Sequence, residues 1–275
     1  MSRDAAPAVF FQSWVRRYHE AQRLREIAQI LIGNGLDFLV QELAVFRRFP
    51  MRLLFRHRVR PEVEQMTVPE RVRRTLEELG PTYIKLGQML AGRTDILPAA
   101  YLAELAKLLD QAPPEPTETI VAILERELGA GLKQFFLEFE AMPAAAASLA
   151  QVHRARLLDG TVVAVKVQRP GIRQKVQADL DLLRDQAVFL ERQSTAARER
   201  RLVELVDEAR FTLMNELDFA LEARNAIRLR RNLAVLPFVL IPRVYTELCT
   251  GRILVSDYVE GIPLTDREGL LAAGY

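Results

Sequence analysis

The chain has 275 residues, with 38 lysines and arginines against 36 aspartates and glutamates, for a formal net charge of +2. That near balance argues against a dedicated nucleic-acid binder, and a hydrophobic share of 49% suits one large domain or two small ones. Cys249 is the single cysteine, which excludes an internal disulfide and a zinc cluster and fits a reducing, cytoplasmic setting.

Residues 1–60 form a basic preamble. Ile27–Ile32 and Leu36–Val40 have helical spacing, separated by Gly33-Asn34-Gly35, and Arg47, Arg48, Arg52, Arg56, Arg58 and Arg60 follow. Such helices either pack on the main domain with a solvated basic face or lie on an anionic membrane surface. The start of the chain lacks the pattern of a signal peptide, and no apolar stretch approaches the ~18 residues of a membrane-spanning helix.

Residues 61–132 read as a helical extension. Thr67 with Glu70 makes a capping box, and Pro69 suits a first turn. A second helix is expected from about Thr82, after Gly80-Pro81, with Lys85 and Gln88 on one face, and a third over Ala99–Leu109. Pro113-Pro114-Glu115-Pro116 marks a linker, and Thr117–Leu128 is a further helix with Thr117 as its expected cap.

Phe135–Ala141 alternates as a strand. Pro143, Ala144–Ala147 and Ser148 then read as a loop, and Leu149–Leu157 and Thr161–Val167 as strands joined at Asp159-Gly160. A loop between two strands, followed by a strand that delivers Lys166, is how a kinase nucleotide pocket is built. Alanines stand where such loops carry glycines, and each methyl limits how closely backbone can approach a phosphate. Ser148 could offer a hydroxyl and an N–H to a phosphate. Lysine occurs only at 85, 107, 133, 166 and 175 in this arginine-rich chain, which suggests that a compact point charge is needed at 85 and 166.

Further on, Arg173–Glu191 is helical and Ser194–Arg201 a polar break. Leu202–Leu233 reads as one long helix, and Val239–Tyr245 and Arg252–Tyr258 as strands. On an unbroken helix Asp218 and Glu222 share a face, whereas Glu216 and Asp218 point about 200° apart, so the three carboxylates cannot act together.

Four pieces carry a family resemblance, in order: Lys85-Leu86-Gly87-Gln88, the alanine run at 144–148, Val163–Gly171 around Lys166, and Asn215-Glu216-Leu217-Asp218-Phe219 with Glu222 beyond. Together they resemble the UbiB family of atypical kinase-like proteins, which includes the mitochondrial ADCK proteins, over roughly residues 60–266. The fold this implies is α+β: a protein-kinase-like small lobe of antiparallel sheet and helices over 133–260, a helical extension before it, and the start of a C-terminal lobe at 261–275.

The resemblance also implies ATP or ADP with Mg2+. Ala145, Ala146, Ala147 and Ser148 would cover the phosphates. Lys166 would be held by Glu216, whose helix must cross the sheet, and Asp218 would belong to the same site. Lys85 and Gln88 would lie over the pocket; the alternative is that they simply cap and solvate a helix. Asp257 and Val259 would come from an inter-lobe hinge over Val255–Gly261. The implied role is an ATPase or phosphotransferase supporting isoprenoid-quinone (ubiquinone) biosynthesis, with quinone-biosynthesis proteins as partners and a peripheral place at the inner membrane. The family's catalytic loop and Asp-Phe-Gly metal element are not found before Tyr275. The metal ligands are therefore expected beyond it, no catalytic residue is assigned, and these 275 residues are expected to bind without turnover. The alternative is a non-catalytic nucleotide-binding or membrane-surface regulatory module.

Overall fold

The computed structural model describes residues 21–42, 60–109, 112–264 and 266–275. The arginines at 47, 48, 52, 56 and 58, read as a solvated basic face or a membrane-facing stripe, lie outside the described residues. Along the chain the main helices are α1 (21–33), α2 (Val68–Leu79), α3 (Pro81–Ala91), α4 (Thr117–Leu128), α5 (Ile172–Gln193), α6 (Leu202–Glu216) and α7 (Phe219–Asn232). The strands are β1 (Phe136–Phe139), β2 (Ala145–Ala146), β3 (Ala150–Leu157), β4 (Val162–Gln168) and β5 (Ile253–Asp257). They fall into two compact units, neither continuous in sequence: described residues up to 109 with Gly171–Asn215, and Ala112–Pro170 with Glu216–Tyr275.

The first unit is helical. At the start of α2 the capping box forms as expected, with the Thr67 N–H donating to the Glu70 carboxylate at 2.7 Å and Pro69 in the first turn. Gly80, at φ +93°, separates α2 from α3 in a conformation that a side chain would strain. Leu24, Ala28, Leu31, Leu79 and Tyr83 form a core with Leu182 of α5. One ion pair is buried beside that core. Arg23 Nε donates to Asp179 at 2.7 Å, and the Thr82 hydroxyl donates to the other Asp179 oxygen at 2.7 Å. A carboxylate this deeply buried persists only because its oxygens are paired. The segment after α5, expected as a polar break, instead holds a short helix, Thr195–Glu199, because the Ser194 hydroxyl caps it by accepting the Ala197 N–H at 3.3 Å.

The second unit is built on an antiparallel sheet in the order β1-β3-β4-β5, with β2 also pairing with β3. The Asp159-Gly160 signal produces the β3–β4 hairpin: Gly160 has φ +88°, and the Leu157 N–H donates to the Thr161 carbonyl at 2.8 Å. The Asp159 carboxylate accepts the Thr161 N–H at 2.9 Å, which holds its pKa below the ordinary value. Alternation along β4 divides its side chains. Val163, Val165 and Val167 are fully buried and pack in the cluster that holds Ile120 and Leu124 of α4. Lys166 occupies the opposite face, where Phe219 and Ala223 of α7 pack with Ala150 and Leu254.

Local readings fail at three further places. Val239–Tyr245 is not a strand: it makes a single bridge, Val244 to Ser256, and Pro242 within it cannot donate to a ladder. Thr117 does not cap α4. Pro116 holds that position, and the Thr117 hydroxyl donates to the Ala141 carbonyl at 2.9 Å. The alanine run is not an open loop, since Ala145 and Ala146 pair with Val152 and Gln151 on the edge of β3.

Candidate functional site

The sheet register aligns the two features that the sequence singled out. Ala145 lies opposite Val152, Val152 opposite Lys166, and Lys166 opposite Leu254. Cross-strand partners share a face, so the alanine hairpin and Lys166 stand in one row, two strands or roughly 10 Å apart. α7 covers that face. The Lys166 ammonium is 2.8 and 2.9 Å from the two oxygens of Glu222 and sits 4.5 Å from the Phe219 ring centroid.

Glu216 was the expected partner of Lys166; the structure assigns that place to Glu222. The long helix expected over Leu202–Leu233 breaks at Leu217-Asp218. The Gln168 side-chain amide, at the end of β4, donates to the Leu217 carbonyl at 2.6 Å and to the Gly251 carbonyl at 2.9 Å. The Leu217 carbonyl is thereby satisfied by the sheet. Asp218 then caps a new helix, accepting the Leu221 N–H at 3.0 Å. The first turn of α7 places Phe219, Glu222 and Ala223 on one face at i, i+3 and i+4, so Glu222 reaches the lysine. The 200° argument fails with the unbroken helix it assumed. The sequence did hold a signal of the break: aspartate prefers a helix N-cap to a helix interior.

A lysine has three donors, and Glu222 takes two, which leaves one N–H for an oxygen of a bound anion. Lys166 is one-third exposed, so it remains open to such a ligand. In the hairpin the Ala146 and Ala147 carbonyls accept from the Ala112 N–H at 3.3 Å and from Arg169 Nε at 2.8 Å. These oxygens would repel a phosphate if they faced it, and both are committed elsewhere. Ser148 is buried, so its hydroxyl is not displayed on the surface.

The remaining candidates are placed as follows. Lys85 and Gln88 stand on α3 in the first unit, where Gln88 donates to the Leu108 carbonyl at 3.1 Å. Between them, Gly87 is required by packing: a Cβ there would lie 2.3 Å from Leu108 Cδ1 and 2.8 Å from Leu76 Cδ1. Asp257 ends β5, its carboxylate accepting the Arg243 N–H and the Tyr245 hydroxyl, each at 2.9 Å; burial, with this bond, raises the Tyr245 pKa. Val259 is exposed beyond it. Among the described residues no group of three or more His, Cys, Asp or Glu side chains could hold a metal ion. Nor is any described helix long and apolar enough to cross a membrane.

An antiparallel sheet crossed by one helix, with a strand lysine pinned by a helix glutamate, defines the small lobe of a protein-kinase-like fold. A family model described as the ABC1 atypical kinase-like domain matches residues 107–275. Curated relatives include a probable protein kinase UbiB of Pseudomonas aeruginosa, 41% identical over 253 residues, covering 90% of this chain and 47% of the relative. The protein of the same description in Shewanella pealeana is 42% identical over 206 residues, covering 74% of this chain and 38% of the relative. Among solved structures, the complex of Rv3197 with erythromycin from Mycobacterium tuberculosis is 31% identical and covers 70% of this chain and 48% of that one, with a TM-score of 0.51. The chain belongs to the ABC1 atypical kinase-like family and is UbiB-like within it. It spans about half the length of the curated relatives it matches.

Proposed function

We propose that this chain forms the nucleotide-binding front of a UbiB-like ATPase or phosphotransferase. The observation that carries the reading is the row from Ala145 to Lys166, with the lysine held by both oxygens of Glu222. A fixed cation one-third exposed, in the same cross-strand row as a hairpin whose carbonyls are turned elsewhere, suits phosphate oxygens of ATP or ADP. Lys166 would bind and orient the phosphates, Glu222 would hold the ammonium in place, and Ala145, Ala146 and Ala147 would cover them. Backbone at and beyond the end of β5, from Asp257 to Val259, would border the nucleotide. Glu216, Asp218, Lys85 and Gln88 are retained as candidates on the family resemblance alone.

Mg2+ would arrive with the nucleotide and neutralise phosphate charge. On the family resemblance, its protein ligands would lie in the part of the longer relatives that this chain does not span. The family resemblance implies a role in isoprenoid-quinone biosynthesis, which we adopt for this chain, with quinone-biosynthesis proteins as partners and a peripheral position at the inner membrane.

The test is nucleotide-dependent stabilisation of the purified chain with ATP or ADP plus Mg2+. A hundredfold excess of nucleotide over Kd should add about 2.7 kcal/mol to the unfolding free energy. Lys166→Ala should remove that gain. Equal stabilisation of parent and Lys166→Ala by nucleotide would sink the assignment.

A further inference from the structure

The proline-rich segment before α4 is a strap on the alanine hairpin, not a free linker. The Ala112 N–H donates to the Ala146 carbonyl at 3.3 Å, and the Glu115 N–H donates to Gln151 Oε1 at 2.8 Å. One side chain joins strap to hairpin. Arg169, the residue after β4, donates from Nε to the Ala147 carbonyl at 2.8 Å, from Nη1 to Glu115 Oε1 at 2.8 Å and from Nη2 to the Pro113 carbonyl at 2.7 Å. Its own N–H donates to the Leu149 carbonyl at 3.1 Å. Arg169 is 9% exposed.

A guanidinium is a rigid planar fork, so three acceptors engaged at once fix the relative places of whatever carries them. Here every acceptor lies on the hairpin or the strap, and the strap is stiffened by Pro113, Pro114 and Pro116. Alanine in the hairpin lacks the conformations open to glycine, so the fork has fewer poses to select among and holds one of them. Losing the fork would also release the Ala147 carbonyl, whose negative end would repel a phosphate, and more strongly the more charge that phosphate carries.

We infer that Arg169 is a positioning residue of the phosphate site: by tying the alanine hairpin to the 112–116 strap it sets the relative affinity for ATP and ADP. The inference rests on the nucleotide reading above. It names a determinant outside the lysine, the alanine run and the acidic helix.

The experiment is calorimetric titration of the whole chain with MgATP and, separately, MgADP, for the parent, Arg169→Gln, Arg169→Lys and Glu115→Gln. Arg169→Gln should weaken MgATP about tenfold and MgADP no more than about threefold. Glu115→Gln should move the ratio the same way by a smaller factor, and Arg169→Lys should fall between, because it keeps the charge but not the fork. A residue that merely supported the fold would lower the binding-competent fraction for both nucleotides alike and leave the ratio of the two Kd values at the parent's. That result overturns the inference while leaving the nucleotide reading intact. A parent chain that binds neither nucleotide removes both. If Arg169→Gln does not fold, Glu115→Gln decides: a shifted ratio supports the inference and an unchanged ratio ends it.

Discussion

Both carboxylate oxygens of Glu222 lie within 2.9 Å of the Lys166 ammonium, from a helix that begins only three residues earlier. The pair is partly exposed, so its direct contribution to folding is small, about 0–1 kcal/mol. Its consequence is positional. Glu222→Gln should leave thermal stability nearly unchanged and weaken MgATP roughly tenfold, the loss of one charge-assisted contact of about 1.5 kcal/mol. Glu216→Gln leaves the Lys166 pair in place and should weaken MgATP less. Titration of the two variants side by side checks the ranking, and the reverse order would return the lysine to Glu216.

Asp218 separates two roles that one residue could serve. As the N-cap of α7 it accepts a backbone N–H, a function that asparagine keeps and alanine does not. Asp218→Ala should destabilise the chain by about 1 kcal/mol, measured as a shift of the urea midpoint, and Asp218→Asn by only a few tenths. If Asp218→Asn folds as the parent does yet loses nucleotide stabilisation, the carboxylate has a ligand role beyond the cap.

At Gly87 two opposing terms can be weighed. Alanine gains up to about 1 kcal/mol over glycine inside a helix. The new methyl, however, would lie 2.3 Å from Leu108 Cδ1 in a buried position, and overpacking costs about 1–3 kcal/mol. Gly87→Ala should therefore lower stability by about 1 kcal/mol net. A more stable variant in urea denaturation would show that the two leucines repack freely.

His153 supplies a pH dependence. It is fully buried and stacked on Phe139, its Nδ1 donating to the Glu140 carbonyl at 2.8 Å and its Nε2 accepting from the Gln151 amide at 2.7 Å. Burial lowers its pKa from the ordinary 6.5, against the opposing Glu140 hydrogen bond. The folded state therefore prefers the neutral ring. The stabilisation is fully present above pH 6.5 and is lost as pH falls below it towards the folded value, because the unfolded chain binds the proton first. Urea midpoints between pH 7.5 and 5 should fall with a slope that His153→Gln reduces. Identical slopes for the two proteins would show that other groups control the acid response.

What the sequence by itself determined is what local physics governs. The Thr67–Glu70 capping box, the Asp159-Gly160 turn and the alternation that buries Val163, Val165 and Val167 while turning Lys166 to the other face depend only on neighbours along the chain. The family signatures are likewise short and contiguous. Tertiary structure decided the rest, because there a group far along the chain outcompetes a local preference. Gln168 takes the Leu217 carbonyl and so splits a helix whose composition favours continuity, which hands Lys166 to Glu222. Arg169 and Ala112 take the carbonyls of an alanine run that Pro143 and the following strand pattern mark only as a loop, and turn it into a held hairpin. No periodicity within either segment records these captures, since each depends on a donor that only the folded sheet brings within hydrogen-bond reach.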